Sequence, residues 1–212
     1  MVRIRHCLGF TLLELLVALA IFALLAAAVH STLRAVLDVR EQSQRTIKEL
    51  LALKTCFNVL GRDIEQTVPR SVRNASGEQV PFLQGRDGSY DAFLELTHAG
   101  WANPMGFQRS DLQRVAYGLH DGVLERNVWL VLDRAADSKP QTAELLEKVD
   151  TIQMRFLDQD LNWHAEWPPP QGVRGNREVP RAVEIQVVFD GWGAITRLFK
   201  LPSGLQTRGS AP

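Results

Sequence analysis

Cysteine is nearly missing from these 212 residues, with two in all, Cys7 and Cys56. An internal disulfide framework is therefore excluded, and so is a thiolate zinc site, which needs several ligands close together. Cys7 falls in a short leader that is expected to be removed, which leaves Cys56 as a small apolar residue on a helix face. A surplus of either charge is missing too: 24 Lys and Arg balance 24 Asp and Glu. Without a basic excess to neutralise phosphates, nucleic-acid binding has no electrostatic support.

Catalytic and metal-binding patterns are equally scarce. His6, His30, His98, His120 and His164 are scattered and lack the spacing that brings two imidazoles onto one helix face. There is no Gly-x-Ser-x-Gly elbow, no glycine-rich phosphate loop and no Cys-x-x-Cys. Asp158-Gln159-Asp160-Leu161-Asn162 begins like a calcium loop. Trp163, however, stands where that loop needs glycine, and Pro169 where it needs a bidentate glutamate. The stretch reads as a strand-ending turn. No metal, cofactor or enzymatic activity is expected.

What the sequence does hold is a long apolar run. Residues 15–29 are uninterruptedly apolar, and 10–29 would span roughly 30 Å as a helix, the thickness of a bilayer's hydrocarbon core. Arg3 and Arg5 precede the run. An ordinary secretory signal peptide, cut near Ala26-Ala27-Ala28, or a plain signal anchor would also show a basic start and an apolar stretch. Glu14 argues against both. A carboxylate in the hydrocarbon costs about 2.5–3.5 kcal/mol even on permissive scales, so it calls for a partner. No basic residue lies between His6 and His30, and the segment itself offers no counter-charge. Cleavage after Gly9 would create one, the amino group of Phe10, one helical turn from Glu14 or on a neighbouring subunit.

Gly9-Phe10-Thr11-Leu12-Leu13-Glu14 resembles the class III signal of type IV pilins and pseudopilins. The resemblance implies that a prepilin peptidase cuts between Gly9 and Phe10 and methylates the Phe10 amine. It also implies that Glu14, fifth in the mature chain, guides entry into a growing pilus. Arg34 and Arg40 flank the far side of the run, so charge alone settles no topology. Placement in the bacterial inner membrane with a periplasmic C-terminal domain is implied by the resemblance. Loss of Arg3 and Arg5 leaves 22 basic against 24 acidic side chains.

The helical pattern continues beyond the membrane run. Leu33, Val36 and Leu37 lead into a polar stretch around Arg40 and Glu41. Leu50, Leu53, Phe57, Leu60 and Ile64 then recur at steps of three and four, a stripe suited to packing on the protein's own core. Pro69 marks the end. After it the period changes to two. Asn74-Ala75-Ser76-Gly77 and Gly85-Arg86-Asp87-Gly88 read as loops, and residues 92–97 as a strand alternating at Phe93, Leu94 and Leu96. Asp121-Gly122 between 112–119 and 123–132 signals a hairpin. Ile152, Met154 and Phe156 mark another strand; Val183, Ile185, Val187 and Phe189 mark one more. Asp190-Gly191 turns into 194–201. Residues 141–148 read as a short helix.

The expected fold is α+β and pilin-like: a long N-terminal helix, half transmembrane and half amphipathic, on an antiparallel sheet. The expected segments are a leader at 1–9, a membrane helix at 10–29, its amphipathic continuation at 30–68, a globular β-rich domain at 69–202 and a tail at 203–212. Charged residues of the domain are expected to be solvated or to cap loops, and tryptophans and leucines to form its core.

Further residues resemble the J-type minor pseudopilins of type II secretion. They include Glu95-Leu96-Thr97, Gly100-Trp101, Asn103-Pro104, Arg109-Ser110, Leu112-Gln113-Arg114-Val115, Tyr117-Gly118-Leu119 and Trp129. Leu132-Asp133-Arg134-Ala135, Arg155-Phe156-Leu157-Asp158, Trp163, Trp167-Pro168, Ala182-Val183-Glu184 and Arg197-Leu198-Phe199-Lys200-Leu201-Pro202 fit as well. The resemblance implies assembly with I-type and K-type minor pseudopilins at a pseudopilus tip, where the subunit primes assembly. Contacts with the H-type and major pseudopilins and with secreted cargo belong to the same implication. A minor pilin of a type IV pilus shares the leader and is the alternative. A membrane-anchored binding module or enzyme is the reading from another class.

Overall fold

The computed structural model describes residues 11–88, 92–100, 110–135, 137–170, 179–189 and 193–202. One helix, α1, runs from Leu12 to Glu65. The chain divides into two compact units, Met1–Leu51 and Ala52–Pro212. In the first, every described side chain is exposed, including the leucines and valines of the apolar run. That run is long and apolar enough to cross a membrane. At its end Ser31 Oγ and Thr32 Oγ1 both donate to the Ala28 carbonyl at 2.9 Å, so neither hydroxyl lacks an acceptor where the apolar residues stop.

In the second unit the last turns of α1 turn Cys56, Phe57, Leu60 and Ile64 inward. The stripe therefore begins at the half-buried Leu53; Leu50 is exposed. Burying Leu60 and Ile64 completely contributes about 1.5–3 kcal/mol each. The helix stops at Glu65, three residues short of the expected 68. Thr67 already bridges His98, and the Val68 amide donates to the Thr97 carbonyl at 2.9 Å. Pairing with the sheet ends the helix before Pro69 is reached.

The sheets are wholly antiparallel. Val72–Arg73 (β1) and Gln79–Val80 (β2) form a small hairpin whose turn is fixed by Asn74 Oδ1, which accepts from the Ser76 and Glu78 amides. A six-stranded sheet follows. It contains Leu83–Arg86 (β3), Leu94–His98 (β4), Gln113–His120 (β5), Val123–Trp129 (β6), Gln141–Leu146 (β7) and Glu166–Trp167 (β10), in the order β10-β3-β4-β5-β6-β7. A four-stranded sheet, β12-β11-β8-β9, is built from Val149–Leu157 (β8), Trp163–His164 (β9), Ala182–Phe189 (β11) and Gly193–Lys200 (β12). The β5–β6 turn is Asp121-Gly122 as expected, with φ of 49° and 75°, the left-handed pair that a tight hairpin needs. The Asp190-Gly191 turn lies outside the described residues, although β11 and β12 pair as that turn requires.

Three expectations need correcting. Residues 141–148 do not form a helix: Gln141–Leu146 is strand β7, paired with β6 from Gln141 opposite Val128 to Leu146 opposite Leu124. Gly85 and Arg86 are not loop residues but the end of β3. Nor does β4 alternate between core and solvent, since all five of its residues are buried.

Gly85 explains its own presence in a strand. A Cβ there would stand 2.7 Å from Phe156 Cζ and 2.8 Å from the Phe93 carbonyl oxygen. Gly85→Ala should therefore destabilise the domain by about 1–3 kcal/mol through overpacking. A thermal melt unchanged from wild type would show that β3 does not approach Phe156 this closely.

Candidate functional site

The assembly residue named from the sequence, Glu14, lies at the start of α1. Gly9 and Phe10 lie outside the described residues. Glu14 sits in the first helical turn, and Thr11 immediately precedes the helix. The Thr11 amide and hydroxyl both donate to Glu14 Oε2 at 3.2 Å, while the Glu14 amide donates to Thr11 Oγ1 at 3.3 Å. This reciprocal pair is a capping box, which satisfies amides that the first turn of a helix leaves free. The sequence reading overlooked it, although Thr-x-x-Glu ahead of an apolar run is its signature. Glu14 thus has hydrogen-bond partners within its own chain. What Thr11 does not bring is positive charge.

The globular unit is fixed by two buried polar clusters. Asp63, fully buried on α1, accepts at Oδ2 from Tyr117 Oη and from Arg126 Nε, both at 2.7 Å. Burial first, then the neighbouring Asp63 charge, raises the Tyr117 phenol well above its ordinary value, so it stays a donor. In the second cluster Arg114 is fully buried on β5. Its Nε donates to Glu95 Oε1 at 3.0 Å. Its Nη1 reaches the carbonyls of Pro81 (2.9 Å) and Phe82 (3.0 Å) and Thr97 Oγ1 (3.0 Å). Arg134, stacked 4.2 Å over the Trp129 ring, also donates to Glu95. This is why β4 is buried on both faces: Glu95 and Thr97 point into a polar pocket closed by arginines rather than into water.

Burial pushes the Glu95 carboxyl up, but the charge and hydrogen bond of Arg114, with Arg134 and Gln84, outweigh it and hold the group below the ordinary carboxylate range. Its contribution to stability is present above the unfolded-state value and is lost as pH falls through the lower folded one. The expectation that the domain's charged residues are solvated is thus wrong for Glu95 and Arg114.

The 158–162 segment is a turn between β8 and β9, as expected. Asp158 accepts from His164 Nε2 at 2.7 Å and from the Asn162 amide at 2.8 Å. The His164 bond first, then the Asn162 amide, lowers its carboxyl to about 2. Among the tryptophans, Trp167 is core, while Trp163 is 40% exposed beneath the Arg155 guanidinium, 4.2 Å away. Trp101, Asn103, Pro104 and Arg109 lie outside the described residues. Cys56 is buried, and burial pushes its thiol up to about 12. Alkylation at about pH 8 should therefore track unfolding, because the thiolate is the reactive species. Rapid labelling of the native chain would place Cys56 at the surface.

Comparison with known proteins matches two successive stretches of the chain. Residues 4–29 match the prokaryotic N-terminal methylation motif. Residues 31–201 match the family described as Type II secretion system (T2SS), protein J. The chain belongs to the type II secretion system protein J family. Proteins of that name from Escherichia coli and Klebsiella pneumoniae are 34% and 32% identical to it. The first alignment covers 91% of this chain and 95% of the relative, the second 95% and 98%. A chain in the crystal structure of the GspK-GspI-GspJ complex from enterotoxigenic Escherichia coli superposes with a TM-score of 0.62 at 29% identity. That match covers 72% of this chain and 96% of the other. The chain is accordingly a minor pseudopilin of type II secretion. The protein J match over 31–201 sets aside the type IV pilus alternative.

Proposed function

We propose that this minor pseudopilin is anchored in the bacterial inner membrane by the apolar part of α1, with its β-rich domain in the periplasm. Prepilin peptidase would cut between Gly9 and Phe10 and methylate the new Phe10 amine, and Glu14 would then guide the helix into a pseudopilus. There the subunit joins I-type and K-type partners at the tip and primes assembly, with the H-type and major pseudopilins following. Contact with secreted cargo is part of the same reading. The observation that carries it is the likeness to a chain solved within a GspK-GspI-GspJ complex, joined in one polypeptide to a methylation motif.

The role is structural rather than enzymatic. Support comes from how the domain spends its ionisable groups: Asp63, Glu95, Arg114 and Arg126 are committed to one another inside it. Co-expression of the full chain with I-type and K-type pseudopilins, followed by detergent extraction and purification through a tag on this subunit, tests the assignment. Both partners should co-elute. Recovery of this subunit alone would overturn the tip assembly.

A further inference from the structure

The junction of α1 with β4 holds two buried polar atoms that face each other without a partner, Asp63 Oδ1 and His98 Nε2, 3.8 Å apart. Their side chains are 0% and 5% exposed. The tautomer of His98 follows from its other nitrogen. Nδ1 lies 2.7 Å from the Ala99 carbonyl, which can only accept, so Nδ1 carries the hydrogen. In the neutral ring Nε2 is then a bare lone pair 3.8 Å from a carboxylate oxygen. Two acceptors lie close together in a place where an unmet polar group is destabilising. One proton on Nε2 satisfies both once the pair closes from 3.8 Å to hydrogen-bond distance.

We propose that Asp63 and His98 are a proton-binding pair, an acid-sensitive latch between the helix and the sheet. Acidification puts a proton on Nε2, which can then donate to Asp63 Oδ1, but the charge so created is buried beside Arg62 and Arg126 and slackens the junction of β4 with α1. The other groups facing the pair set its range. On α1, Arg62 Nε lies 4.0 Å from Asp63 Oδ1. Tyr117 of β5 and Arg126 of β6 hold Asp63 Oδ2, and neutral Gln113 stands opposite His98 in the β4–β5 register. Burial is the largest influence on His98 and lowers its pKa below the ordinary value; Asp63 opposes this, while Arg126 and Arg62 add to it. The sign follows. The folded pair takes up its proton below the range in which an unfolded histidine does. Stability carried by the neutral ring is therefore present above that range and is lost as pH falls through the folded value.

The test uses the full mature chain in detergent with 15N-labelled histidine, following the ring nitrogens of His98 between about pH 4 and 8. Near neutrality Nδ1 should be protonated and Nε2 bare, and both should be protonated at the acid end. In Asp63→Asn the carboxamide already donates to Nε2 and the counter-charge is gone, so His98 should stay neutral across the range. A second variant guards against poor folding of the first. His98→Gln should remove the histidine-linked part of the pH dependence of the melting temperature. The latch is overturned by a proton on Nε2 at neutral pH, by a ring that stays neutral to the acid end, or by identical titration in Asp63→Asn. It is equally overturned if His98→Gln leaves the pH dependence unchanged.

Discussion

Arg114→Met should lower the unfolding free energy by about 3–5 kcal/mol, the cost of breaking a buried ion pair from one side. Methionine replaces the apolar stem of the arginine but none of its donors. Glu95 loses the guanidinium at 3.0 Å and, among the described residues, keeps Arg134 and Gln84. The Pro81 and Phe82 carbonyls and Thr97 Oγ1 lose the Arg114 Nη1 that all three share. For a chain of this size the loss corresponds to a fall in melting temperature of roughly 10 °C. Arg114→Lys should lie between the two, because an ammonium keeps the charge but cannot span Glu95 and the carbonyls at once. The i,i+4 pair of Arg45 and Glu41 gives the contrast. With side chains 74% and 65% exposed, it should cost no more than a few tenths of a kcal/mol when Arg45 is replaced by alanine. If Arg114→Met and Arg45→Ala melt together, the buried network contributes nothing and the reasoning fails.

The second large effect is functional. A strain whose only copy carries Glu14→Ala should lose secretion, while its protein still begins at Phe10. Removing a carboxylate from the apolar run lowers the cost of insertion, so failure to enter the membrane could not account for the loss. Glu14→Gln separates two roles. Its amide can still close the capping box with Thr11, since Gln serves there as well as Glu, but it carries no charge to match an amine. Secretion should be lost with Gln as well. Normal secretion with Gln would reduce Glu14 to a helix cap. Gly9→Ala should fail earlier, leaving a chain that mass spectrometry finds still bearing its leader.

Much of the chain was legible because the signals are local. The 3.6 period from Leu53 to Ile64, the Asp121-Gly122 turn and the alternation of Val183, Ile185, Val187 and Phe189 each depend on neighbours a few residues apart. The failures also have physical causes. Residues 141–148 carry Ala, Glu and Leu, all good helix formers, yet β6 offers a full edge of backbone partners and pairing outweighs intrinsic preference. Glu95 lies between Leu94 and Leu96, on the face a half-buried strand would show to water, and nothing nearby tells that arginines close over it.

Asp63 was closer to being readable. It falls three residues after Leu60 and one before Ile64, on the inward face of the helix, where an acid calls for a buried partner. Its partners, Tyr117 and Arg126, lie 54 and 63 residues away. The amino-acid order by itself determined the long apolar helix, the methylation motif, the inward stripe and the family. Only the tertiary structure decided which charges leave water, because burial of a charge depends on counter-charges that distant strands bring to it. No local period records that meeting.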